Sequence, residues 1–285
     1  MPPALPPVPD TPPAVPDPAA SPVPPVGAKK GKGRPGLRAV LRWTAVVAVF
    51  AAVGSATAYG ITRMERTDVP GPATEPDGRW TFPVLTRPPL PSGSPAPFAE
   101  TNKAGAHYAD LRALLPPAPE GAETDNALRG EDGWLDTDVF LKEYRDEAER
   151  PELRQKLVDH GLRHIAARGW TTEDGTHTRI YLLHFDTAAV VDELRNRHLA
   201  PYAAPGHAVR GTEEVVADEG FPAQAEIGDL LYSLYVEPEP YGGEQVREAY
   251  LGAGDVLAVI VQSRAGGAAA VPFQQTVALQ SRLLH

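Results

Sequence analysis

The sequence predicts an α+β fold: a mainly antiparallel sheet with helices packed on one face, set behind a single transmembrane helix. Three observations carry that expectation. Residues 43–62 are free of charged side chains and are bracketed by Arg42 and Arg63. Two strand-like runs, Leu162–Trp170 and His177–Phe185, flank Asp174-Gly175, a strong signal for a tight hairpin. Val256–Val261 is continuously apolar, as a central buried strand is.

The chain divides by composition into four segments. Residues 1–42 form a proline-rich tail that ends in a basic cluster, Lys29 to Arg42; its first 27 residues lack the large apolar side chains needed to fold and favour polyproline II. Residues 43–62 are long enough to span a bilayer, because 20 residues at ~1.5 Å each reach ~30 Å. Trp43 and Tyr59 sit near the two ends, where amphipathic rings prefer the interface. The basic cluster precedes the span, so the N-terminus is expected in the cytoplasm and the C-terminal domain outside the cell. Ala56-Thr57-Ala58 also fits a signal-peptide cleavage site, but the segment before the apolar run is far longer than a signal's basic region, which favours an uncleaved anchor. Thr44, Ala48, Ala52, Ala56 and Gly60 form a small-residue ridge that would let two such helices associate as a homodimer.

Residues 63–105 read as a proline-rich linker, although Trp80, Phe82 and Phe98 suggest that part of it lies along the domain surface. Residues 106–285 read as the extracytoplasmic domain, expected to fold without metal or disulfide. Within it His107–Leu115 resembles a short helix stopped by Pro116-Pro117. Asp136 or Thr137 caps a helix running to about Ala148, and Pro151 begins another that ends at Gly161. After the first hairpin, Asp186 or Thr187 caps a helix bearing Val190, Val191 and Leu194. Leu230–Val236 reads as a strand, Arg247–Leu251 pairs with Val256–Val261, and Pro272 opens a final helix. Each half thus ends in a hairpin followed by a helix.

Composition excludes several kinds of chemistry. There is no cysteine, hence no thiol nucleophile, thiolate metal site or disulfide framework. Residues 1–62 hold six of the 27 basic and two of the 37 acidic side chains, leaving 21 against 35, a net −14, beyond them. Such a domain repels nucleic acid unless it carries a local basic patch, and none is visible in the sequence after Arg66. The serines show neither a G-x-S-x-G nor an S-x-x-K pattern, and Ser233 lies within a strand.

Four constellations bear residues of the types that carry chemistry. His160 and His164 have metal-sharing spacing, but Gly161 between them ends the helix and no third ligand is evident. His177 and His184 are seven apart on one strand and so face opposite ways. The acidic clusters Glu131–Asp138 and Glu237–Glu244 lack calcium-loop spacing; helix capping accounts for the first and an exposed turn for the second. No catalytic, cofactor-binding or metal-ligating residue is therefore assigned, and no cofactor is expected.

The stretches Ala106–Arg112, Leu115–Pro119, Gly254–Ser263 and Val271–Ser281 resemble those of uncharacterised single-pass membrane proteins of actinobacteria. The excess of arginine over lysine fits a GC-rich genome of that kind. More loosely, the outer domain is similar to actinobacterial envelope lipoprotein and kinase-sensor domains, which share the strand-pair-then-helix ending. Together these readings point to a membrane-anchored, non-enzymatic binding protein of the cell envelope. Its partners are the lipid bilayer and an unidentified envelope protein, peptide or small ligand, not nucleic acid. The alternatives are a membrane-tethered cell-wall hydrolase, or a scaffold recruiting partners on both sides.

Overall fold

The structure, a computed structural model, describes Thr44, residues 77–201 and residues 203–285. The chain divides into two compact units, Met1–Ala73 and Thr74–His285. Within the first only Thr44 is described, and it is helical. Apart from Thr44, the expected transmembrane helix and its small-residue ridge thus lie outside the described residues, among which no helix is long and apolar enough to cross a membrane.

The second unit is built on one seven-stranded antiparallel sheet, ordered β1-β2-β3-β7-β6-β5-β4. Its strands are β1 (Glu123–Thr124), β2 (His164–Thr171), β3 (His177–His184), β4 (Val216–Ala217), β5 (Leu231–Val236), β6 (Glu244–Ala253) and β7 (Val256–Ala265). The β2–β3 hairpin turns where expected, with Gly175 at φ +81°. The β6–β7 hairpin turns through Gly254 at φ +53°, and here glycine is required twice over. A Cβ at Gly254 would meet the Gly105 carbonyl at 2.0 Å. Pairing of β3 with β7 joins the two hairpins at the centre of the sheet.

Alternation along these strands sends two apolar sets to opposite faces. Tyr181, Leu183, Leu257, Val259, Val261 and Tyr250 face one core. Ile180, Leu182, Val256, Ala258, Ile260 and Leu251 face the other. The first is covered by α1 (Thr137–Leu141), α2 (Arg150–Asp159) and α3 (Ala188–Leu194), through Phe140, Leu141, Leu153, Leu157, Val191 and Leu194. The second is covered by α4 (Ala270–Leu284), through Phe273, Val277 and Leu284. Helices therefore pack on both faces, which corrects the expected single face. The reason is physical: the unbroken apolar run of β7 leaves no polar side for water, so both faces need covering.

The described part of the proline-rich segment, 77–105, lies along the second face as a strap, extended as far as Pro91 and then folded into successive turns up to Gly105. Trp80, Phe82 and Phe98 pack against that core, and Phe82 meets the buried Trp170 edge-on. Gln275 of α4 clamps Trp80 with two hydrogen bonds, one to its carbonyl and one from its N–H. Several helices are shorter than expected. The first is a 3-10 turn, Leu111–Leu114, and α1 stops at Leu141 instead of continuing to about Ala148. Asp136 caps α1 and Thr187 caps α3, each accepting a backbone N–H.

The first core is unusually polar. Glu143 is buried and receives Arg179 and Arg210, each at 2.8 Å. Beside them Glu248 is fully buried; one carboxyl oxygen accepts the Tyr250 hydroxyl at 3.0 Å and the other has no partner. Burial pushes the Glu248 carboxyl up to about 8; the Tyr250 hydrogen bond works against the rise and the nearby Glu237 adds to it. Burial likewise raises the phenols of Tyr144 and Tyr181.

Candidate functional site

The site begins with a break in the pairing of β2. Only Trp170 and Thr171 pair with β1, at the C-terminal end of the strand. Further back, the Gly169 carbonyl accepts the Asp125 N–H at 2.8 Å and the Ile165 carbonyl accepts the Leu135 N–H at 2.7 Å. Both carbonyls thus point away from β3. The alternation of an antiparallel ladder then places the N–H and C=O of Ala167, midway between them, on the same outer edge. Neither group has a hydrogen-bond partner among the described residues. The N–H groups of Ile165 and Gly169, on the same edge, also lack a partner among the described residues, so a short gap centred on Ala167 is left between the two held carbonyls.

Over this gap lies a cavity of about 340 Å³, lined by Arg112, Leu115, Thr124, Asp125, Asn126, Arg129, Gly133, Ala167 and Arg168. That is within the ~300–1,000 Å³ of ordinary ligand sites. The short turns around it place its charges. Asp125 caps the turn Asn126–Leu128 by accepting the Ala127 N–H, which sets Arg129 at the mouth. Arg112, on the turn Leu111–Leu114, stacks 4.9 Å above the Trp134 ring and donates to the Asp132 carbonyl. Gly133 permits that approach, since a Cβ there would meet Arg112 Cδ at 2.7 Å and its φ is +83°.

The three arginines differ in how far they are neutralised. Asp110 takes both Nε and Nη2 of Arg112, and this fork holds the Asp110 carboxyl below its usual range against the opposing effect of burial. Arg168 is half-buried and has no carboxylate partner among the described residues. Its Nη1 donates only to the carbonyls of Leu115 and Pro116, at 2.9 and 3.0 Å, and burial lowers its pKa. Arg129 is exposed and unpaired among the described residues. Asp125, the acid of the cavity, already faces His177 at 3.3 Å. A half-desolvated cation facing a cavity is an unfilled place for an anion.

The histidines and acids singled out in the sequence go elsewhere. His160 bonds the Lys156 carbonyl at the end of α2 and packs on His198, whereas His164 stacks on Trp134. They do not converge, and the described residues hold no cluster of three or more potential metal ligands. His177 lies among the first-face residues beside Arg179, and burial, then that guanidinium, lowers its pKa. His184 bonds Asp255 on the other face at 3.1 Å. Asp255 also receives the backbone N–H and ring Nδ1 of His107, whose Nε2 meets the Leu284 carbonyl. Burial alone would raise the Asp255 carboxyl; the hydrogen bonds from His107 and His184 outweigh it and hold the pKa low. This cluster staples the chain just beyond the strap, at His107, to the β6–β7 turn and the end of α4. Ser233 accepts from Arg195 and donates to the Ala200 carbonyl.

The turn Glu237–Glu244 is exposed from 238 to 244, as expected, but Glu237 itself is buried, accepting the N–H groups of Glu213 and Val246. The cavity also brings together Arg112, Arg129 and Arg168, far apart in sequence. One local signal pointed to it. Arg168 shares a strand face with buried Ala166 and Trp170, where a solvated side chain would not be placed.

Fold and cavity together define an α+β sheet domain with an arginine-lined pocket at one sheet edge. No family model matches the chain, and no curated protein matches it. Among solved structures, the extracellular domain of PknH from Mycobacterium tuberculosis is a weak neighbour, at 12% identity over 45% of this chain and 68% of that one. The TM-score is 0.28, a likeness too slight to carry a site or an activity across.

Proposed function

We propose that the chain is a membrane-anchored, extracytoplasmic binding protein of the cell envelope, without catalytic activity, whose ligand presents an anionic group to the edge cavity. The observation that supports this reading best is Arg168: half-buried at the cavity wall, held by two carbonyls and facing no carboxylate. A bound anion would supply the missing charge, and a charge-assisted hydrogen bond of this kind contributes on the order of 1.5–3 kcal/mol. The tethered-hydrolase alternative calls for convergent carboxylates, whereas Asp125 stands in this cavity already engaged by a backbone N–H and by His177.

Saturation-transfer NMR on the full chain tests the reading, with acetate as probe and neutral acetamide as control. Acetate is expected to receive saturation and acetamide much less, and Arg168→Gln is expected to remove most of the acetate signal. Equal transfer to both probes, or a signal unchanged in Arg168→Gln, would contradict it.

A further inference from the structure

Resting on that reading, we propose that the cavity recognises the C-terminal residue of an extended peptide, with the free carboxylate on the arginines and the peptide backbone filling the gap beside Ala167. The gap has the hydrogen-bonding pattern of one missing strand residue. Ala167 offers an N–H and a C=O on the same side, and an antiparallel partner residue answers with its own C=O and N–H. When that partner is the last residue of a chain, its carbonyl is a carboxylate. One oxygen then accepts the Ala167 N–H, the other accepts from Arg168 or Arg129, and the residue's amide N–H donates to the Ala167 carbonyl.

Three features favour a chain end over other anions. The gap is closed at both ends by the backbone of Asp125 and Leu135, which hold the carbonyls of Gly169 and Ile165. Those carbonyls are four residues apart, so the opening is ~14 Å long at ~3.4 Å per residue, too short for a strand passing through. Phosphate or sulfate, bearing acceptors only, would leave the Ala167 carbonyl opposed to negative charge. An acylated residue carries both the donor and the carboxylate that the walls call for. At about 340 Å³ the cavity holds one or two residues, and the preceding chain leaves through its mouth. Recognition thus combines strand addition with carboxylate capture.

Calorimetry on the full chain, with acetyl-trialanine as the free acid and as the C-terminal amide, tests the proposal. The acid is expected to bind at least tenfold more tightly than the amide and than acetate. Arg129→Gln and Arg168→Gln are each expected to narrow the gap between acid and amide. Ala167→Pro, at an edge position whose N–H faces outward, should weaken the acid at least tenfold while acetate still binds. Because acid and amide are compared on the same unaltered protein, the result does not depend on any variant folding. If acetate binds but the acid gains nothing over it, the peptide proposal falls and the anion cavity stands. If neither acetate nor the acid binds, both fall.

Discussion

Val259→Asp is expected to unfold the domain under conditions in which the wild type is fully folded. Val259 lies at the centre of β7, opposite Tyr181 on one side and Tyr250 on the other, and is 1% exposed. Its side chain enters the first core between two aromatic rings. No cation stands directly across from it on either neighbouring strand. An unpaired carboxylate at such a position costs several kcal/mol, a large share of the ~5–15 kcal/mol that holds a typical domain together. Thermal unfolding followed by circular dichroism checks this. A cooperative melt within a few degrees of wild type would show that the β7 face is wet, contrary to the packing described.

The second large effect depends on pH. Glu248 has a folded-state pKa raised by burial to about 8. A carboxyl whose pKa is raised on folding is favoured in its protonated form. Its contribution is therefore fully present below an unfolded pKa of about 4.3, and is lost as pH rises through the folded value. Between pH 5 and pH 8 the wild type is expected to lose stability on the order of a few kcal/mol from this group. Glu248→Gln keeps an acceptor for the Tyr250 hydroxyl and cannot ionise. Its stability should vary less over the same range, and at pH 8 it should exceed that of the wild type. Denaturant melts of both proteins across this range measure the difference. Parallel pH profiles would mean that Glu248 is solvated or paired in solution.

Much of the sheet was legible because its signals are local. Asp174-Gly175 sets the first hairpin, the apolar run of β7 sets the central strand, and Pro272 marks the first turn of α4. The two-residue strands β1 and β4 left no pattern, being too short for alternation to register. The single-face expectation failed on information already present in β7. A run apolar at every position, as Val256–Val261 is, has two faces to cover, and α4 covers the one opposite α1–α3. Glu237 read as an exposed acid because its partners, the N–H groups of Glu213 and Val246, are backbone groups with no sequence signature.

The cavity was hidden for a related reason. Arg112, Arg129 and Arg168 lie on two turns and a strand, and only the pairing of β1 with β2 brings them together. The unpartnered groups of Ala167 are backbone as well, and they become visible only once the register of β2 is known. His160, His164, His177 and His184, conspicuous in sequence, are instead taken up by helix-end, stacking and ion-pair contacts within the fold.

Residue-resolved hydrogen exchange along β2 of the full chain tests the edge cavity most directly. The N–H groups of Ala166 and Arg168 point to β3 and should be protected, while that of Ala167 should exchange much faster. On saturation with acetyl-trialanine free acid, Ala167 exchange is expected to slow at least tenfold, with little change at Ala166 and Arg168, and the C-terminal amide should produce far less protection. If Ala167 is already protected in the free protein, or stays unprotected when the peptide is bound, the edge is not an open receptor and the account of the site is wrong.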